Sequence, residues 1–147
     1  MASQNETRPN SIPARGVVAV AMRGSQFLVI RRSAFVRAAG MLCFPGGGIE
    51  PGETEQEGIC REMREELNVE ITPVSQIWSS TTDWNIALSW WQVRLAESET
   101  PIPNPSEVSS FAWMTADEIR LQSQVLSSNL QFLDYWQDQI EGTAKPE

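Results

Sequence analysis

Glu62, Glu65 and Glu66 stand three and four residues apart in a stretch with helical spacing. On a helical wheel of about 100° per residue, Glu66 lies about +40° and Glu65 about −60° from Glu62. The three carboxylates therefore share an arc of roughly 100°. Like charges at these spacings destabilise a helix by about a few tenths of a kcal/mol per pair, so a compensating partner is expected. Hard divalent cations such as Mg²⁺ and Mn²⁺ prefer carboxylate and carbonyl oxygens, keep waters, and bind substrate phosphates. The plainer alternative is a solvated glutamate face that holds nothing.

Composition narrows the chemistry further. The 147 residues include no histidine, which removes Ser-His-Asp triads, Cys-His pairs, histidine general bases and imidazole metal sites. Cys43 and Cys60 are too few for a four-thiolate zinc site and argue against a disulfide-dense secreted scaffold. They read as small buried apolar residues in a reduced, cytoplasmic setting. No apolar run approaches the roughly 18 residues needed to span a bilayer, and Met1 to Pro13 is polar rather than signal-like. A soluble chain without a membrane partner is expected. With a net charge of −8 there is no basic excess to displace phosphate counterions, so nucleic acid is not the expected partner, sequence-specific or otherwise. An apolar content of 41% suits one domain over residues 1–147, with polar tails at 1–13 and 142–147.

The charge is unevenly placed. Glu50, Glu53, Glu55, Glu57, Glu62, Glu65 and Glu66 outnumber Arg61 and Arg64 in one short segment. Earlier in the chain Arg8, Arg15, Arg23, Arg31, Arg32 and Arg37 face only Glu6. An anionic segment that calls for cations, beside arginines that could meet a polyanion, suggests a site for cations and phosphates.

The elements that must position these groups follow from pattern. Gly16 to Met22 and Gln26 to Arg32 are β-rich runs separated by Arg23-Gly24-Ser25, which predicts a hairpin. Met41 to Phe44 is a short apolar run ending at Pro45, and the Gly46-Gly47-Gly48 triplet after it predicts a turn of unusual backbone geometry. Thr54 and Glu57 form a capping box that starts a helix from about Glu55 to Leu67, ended by Asn68 in the left-handed conformation. On that helix Ile59, Cys60, Met63 and Leu67 make an apolar stripe beside the anionic arc, and Glu57 to Arg61 is a favourable i,i+4 pair. Strands are expected at Ile71 to Ser79, Trp84 to Leu95 and Ser109 to Met114, with a Pro101 to Pro105 loop before the last. A second capping box, Thr115 with Glu118, precedes a helix at Asn129 to Ile140 whose inward positions are Leu130, Leu133, Trp136 and Ile140. Strands, helix, strands, helix is not the regular interleaving of a doubly wound sheet. The order predicts an α+β fold with a mixed β-sheet between helices.

Gly47, five residues, Glu53, seven residues, then Arg61-Glu62-Met63-Arg64-Glu65-Glu66-Leu67-Asn68-Val69 resembles the Nudix hydrolase signature. Every defined position matches except Asn68, where the family has glycine, and asparagine is the next best residue for a left-handed helix end. The resemblance extends over roughly Gly16 to Ile140 and implies the Nudix α/β/α sandwich. It also implies hydrolysis of a nucleoside diphosphate linked to another moiety, by attack of water on a diphosphate phosphorus with divalent cations present.

The resemblance implies roles for particular residues. Glu62, Glu65 and Glu66 would ligate metal, Gly46 would offer a backbone carbonyl, and Glu53 would pair with Arg61 to orient loop and helix. Glu107 matches a further carboxylate that ligates metal or acts as base in some members; otherwise it is an exposed loop glutamate. Without histidine, the base falls to a glutamate or to metal-held hydroxide, with Glu66, Glu62 and Glu107 as candidates. One of Arg31, Arg32 and Arg37 is expected on substrate phosphate, and at most one of Arg31 and Arg32 faces the site because consecutive strand residues point oppositely. Trp84, Trp90 or Trp91 could stack a nucleobase, although tryptophan in strands is more often core. The short chain favours a nucleoside triphosphate or related small nucleotide as substrate. A non-catalytic nucleotide-binding module and an acidic protein-interaction helix are the competing readings.

Overall fold

A computed structural model describes residues 14–144. Its strands are β1 (Ala14–Val20), β2 (Met22–Arg23), β3 (Gln26–Arg32), β4 (Leu42–Cys43), β5 (Gly46–Gly48), β6 (Thr72–Thr81), β7 (Ile86–Arg94) and β8 (Val108–Thr115). The helices are α1 (Glu55–Leu67), α2 (Ala116–Arg120) and α3 (Ser127–Ala144). The expected tail at 1–13 lies outside the described residues, as do 145–147, while 142–144 belong to α3 rather than to a tail.

The β layer consists of two sheets rather than one. The mixed sheet runs β5-β1-β7-β6, with β1 parallel to β7 and the outer pairs antiparallel. In the second sheet β3 pairs antiparallel with β2, β4 and β8. This corrects the predicted hairpin. Met22↔Phe27 and Arg23↔Gln26 pair across the Gly24 turn, with Leu28 N–H donating to Ala21 O at 3.0 Å, whereas β1 leaves for the mixed sheet. The physical reason lies in the uninterrupted run Val17 to Ala21. Val17, Ala19 and Ala21 enter one core and Val18 and Val20 the other, and a strand buried on both faces needs neighbours on both edges and cover above and below.

Helix α1 covers one face of the sheets. Ile59, Met63 and Leu67 are fully buried there against Val17, Ala19, Leu28, Ile30 and Val108, while Cys60 is half-buried. Each such side chain contributes roughly 2 kcal/mol, as an upper figure, and this outweighs the repulsion of a few glutamate pairs. Helices α2 and α3 cover the other face through Ala116, Ile119, Phe132 and Leu133. There Phe132 stacks on Trp90 with ring centroids 4.8 Å apart, surrounded by Phe27, Phe44, Trp78 and Tyr135. Of the positions expected from helical spacing Leu133 is fully buried and Ile140 is exposed, while Phe132, outside that set, is fully buried as well. No helix among the described residues is long and apolar enough to cross a membrane.

The glycine triplet is strand, not turn. Gly46, Gly47 and Gly48 pair with Val18, Val17 and Gly16 as β5. Their glycine character answers to close approach: a Cβ at Gly46 would overlap the Val17 carbonyl, and one at Gly47 would overlap the Glu62 carboxyl.

Candidate active site

Helix α1 is delimited as its sequence specifies. Thr54 Oγ1 accepts from Glu57 N–H at 3.0 Å and Glu57 Oε1 accepts from Thr54 N–H at 2.9 Å. At the other end Asn68 adopts φ 57°, and its side-chain amide donates to Ile102 O at 2.8 Å. The predicted Glu57–Arg61 pair is replaced, because the capping box engages Glu57 while Arg61 reaches toward β5. Arg61 grips Glu53 with two bonds of 2.6 and 3.0 Å, and donates to Gly48 O at 2.8 Å. The same guanidinium meets Glu62 at 2.9 Å and Glu65 at 3.1 Å. Arg61 is thus the internal counter-charge of the acidic arc, in addition to the pairing with Glu53 that the resemblance implies. Hydrogen bonds from Arg61, and then from Glu50 N–H, hold the Glu53 carboxyl down at about 2.

Glu62 and Glu66 are 8% and 5% exposed, unusual for charged side chains. Burial raises the Glu62 pKa despite Arg61. Burial, followed by the Glu62 charge, pushes Glu66 up to about 8, against the opposing Gly46 N–H, which donates to Glu66 Oε1 at 3.2 Å. Among the described residues, Glu62, Glu65 and Glu107 each present a carboxylate oxygen within 4.8 Å of the others. Glu66 lies alongside this trio rather than in it. Gly46 is in the site by its contact with Glu66. An all-carboxylate trio with Glu62 buried in it and Glu66 buried beside it, each at a free-energy penalty, fits a hard divalent cation.

Glu107 arrives from the connection between β7 and β8. Ser33 N–H donates to Glu107 O at 3.0 Å and Ser33 Oγ to Ser106 O at 3.0 Å, tying the connection to the end of β3. On the other side, Asn104 joins it to the end of α1. Sequence reading passed over both anchors, although Asn104-Pro105 carries an Asn-Pro turn signal.

The arginines separate as strand alternation requires. Arg31 donates to Gly40 O, Ser123 O and Gln122 Oε1, and so ties the β3–β4 loop to the α2–α3 connection. Arg32 donates to Arg37 O at 2.6 Å, and its charge bears on Glu66 and on Cys43, whose buried thiol is pushed up to about 11. The guanidinium of Arg37 lies 5.1 Å from the Trp84 ring centroid. Trp84 itself is 74% exposed and belongs to the β6–β7 turn, not to a strand as predicted. That turn is closed by Thr82, whose Oγ1 accepts from the Trp84 and Ile86 N–H groups, with Asn85 at φ 61°. Trp90 is fully buried with Nε1 on Ser80 Oγ, and Trp91 Nε1 donates to Glu55. Trp84 alone of these three displays an open ring.

A model of the NUDIX domain matches residues 12–136. A Nudix hydrolase of Deinococcus radiodurans is 38% identical over 79 residues, spanning 50% of this chain but only 45% of that relative. An 8-oxo-dGTP diphosphatase of Escherichia coli K12 is 33% identical over 101 residues, spanning 64% of this chain and 77% of that protein. The crystal structure of a MutT protein from Methanosarcina mazei Go1 superposes with a TM-score of 0.73 over 90% of this chain and 96% of that one, at 20% identity, a likeness of fold.

Proposed function

We propose, from the premise that this chain belongs to the NUDIX family, that it hydrolyses a phosphoanhydride in a small nucleotide, a nucleoside triphosphate or related compound, with Mg²⁺ or Mn²⁺. The observation that carries this reading is the convergence of Glu62, Glu65 and Glu107 beside buried Glu66. Its substrate class is supported by the likeness to the 8-oxo-dGTP diphosphatase.

In this reading Glu62, Glu65, Glu66 and Glu107, with Gly46, hold the cation. When bound, the cation offsets phosphate charge and makes water at the site more acidic. The chain's own groups do the rest. Arg61 clamps Glu53 and Gly48 against α1, so that β5 and the helix keep one geometry when substrate arrives. Glu66, Glu62 and Glu107 are the candidate proton acceptors, since the chain has no histidine to take that part. One of Arg32 and Arg37 would meet substrate phosphate, and Trp84, whose ring is exposed, would stack a base. An acidic surface for a protein partner would display its glutamates, whereas Glu62 and Glu66 are buried.

The test is a hydrolysis panel of nucleoside triphosphates including 8-oxo-dGTP, ADP-ribose, sugar nucleotides and dinucleoside polyphosphates, run with Mg²⁺, Mn²⁺ or chelator. Metal-dependent release is expected, with losses on the order of 100-fold or more in Glu65→Gln and Glu66→Gln. Trp84→Ala should raise KM severalfold and leave thermal stability unchanged, because that ring is exposed. No release from any member, with no thermal stabilisation by either metal, overturns the reading.

A further inference from the structure

The carboxylates that converge come from two elements, and the loop bearing Glu107 lacks regular structure of its own. A helix leaves its last four carbonyls without intrahelical donors. In α1 these belong to Arg64, Glu65, Glu66 and Leu67. Asn68 N–H donates to Arg64 O at 3.0 Å. The other three are taken by the loop: Asn104 Nδ2 donates to Glu65 O at 3.1 Å, Asn104 N–H to Glu66 O at 2.9 Å, and Ile102 N–H to Leu67 O at 2.8 Å.

Asn104 also faces the other way. Its Oδ1 accepts from Ser106 N–H at 3.3 Å and Ser106 Oγ at 3.0 Å. Its main-chain carbonyl accepts from Glu107 N–H at 2.9 Å and Val108 N–H at 2.8 Å. One amide side chain therefore spends its donor on the helix and its acceptor on the turn that carries Glu107. Aspartate lacks the donor and serine lacks the reach. Pro103 and Pro105 on either side restrict the backbone so that the turn is held rather than sampled.

We propose that Asn104 is the positioning residue that sets Glu107 in register with Glu62 and Glu65. The proposal rests on the reading that these carboxylates share a divalent cation. Its target is the spacing that leaves the three oxygens within 4.8 Å of one another. Glu62 and Glu65 move with α1, Glu107 moves with its turn, and Asn104 is hydrogen-bonded to both.

The test is a double-mutant cycle on the full chain, reading the Mn²⁺ dissociation constant by calorimetry without substrate, with thermal unfolding in parallel. Partners behind metal ligands typically govern affinity by about 10- to 100-fold. Asn104→Ala is expected to weaken Mn²⁺ binding on the order of tenfold, as is Glu107→Gln, and the double variant is expected to be no weaker than Glu107→Gln alone. Asn104→Ser, the milder change should alanine prevent folding, retains an oxygen for the turn but not the reach to Glu65 O, and should follow the alanine variant. Equal weakening by Asn104→Ala with and without Glu107 would reduce Asn104 to a helix cap and overturn the proposal. So would wild-type affinity in Asn104→Ser. If Glu107→Gln itself leaves Mn²⁺ affinity unchanged, the shared-cation reading has failed and the positioning role falls with it.

Discussion

Two buried glutamates define the behaviour of the metal-free chain. The Glu66 carboxyl goes from an ordinary 4.5 to about 8 because burial disfavours its charged form and Glu62 sits beside it. A group whose pKa is raised by folding contributes stability that is full below its unfolded value and is lost as pH rises through its folded value. In chelator, thermal stability should therefore decline between about pH 4.5 and pH 8. Glu66→Gln, which stays neutral throughout, should flatten that decline, as calorimetry across the range would read; an equally steep decline in the variant would remove Glu66 as its cause. The burial that creates this sensitivity was not visible in the glutamate spacing. The wheel put Glu62, Glu65 and Glu66 on one arc, but how far each sinks depends on β5, where glycine at position 47 leaves room for the Glu62 carboxyl.

The helix ends show why some elements were legible to the residue. Both capping boxes and the stop at Asn68 depend on groups within a few residues of one another, and all three form as predicted. Asn68 stands where the family signature has glycine, and it combines a left-handed backbone with a side-chain bond to Ile102 O. Asn68→Gly relieves the backbone but loses that bond, two effects of about 1 kcal/mol or less that oppose each other. Its stability should stay within about 0.5 kcal/mol of the parent, while Asn68→Ala, which suffers on both counts, should lose about 1–2 kcal/mol in denaturant unfolding. The hairpin was read less well. Local turn chemistry around Gly24 correctly joined Met22 to Phe27, but nothing local announces that β1 abandons β3 for β7. That pairing is decided by residues some seventy positions away.

For the molecule as a whole, the decisive fact is that the β layer has a core on each side, with the candidate site bordering the α1 side. Phe132 is fully buried on the opposite side against Trp90, Phe44 and Trp78. Phe132→Ala should destabilise the chain by about 3–5 kcal/mol in denaturant unfolding. Mn²⁺ affinity of the folded fraction should stay near the parent's, because the aromatic rings packed on Phe132 all belong to the core on that side; a loss of affinity tracking the loss of stability would show the two sides to be coupled. By itself the sequence determined the residue types of the candidate site, the limits of α1, the α+β class and the family, because these rest on local spacing and on a long motif. Only the tertiary structure decided that Arg61 turns into the acidic arc, that the charge of Arg32 rather than Arg31 bears on Glu66, that the glycine triplet is a strand, and that Glu107 is hung from the end of α1 by Asn104. Each of these depends on which distant segment fills the space beside a side chain, and spacing along the chain carries no record of that.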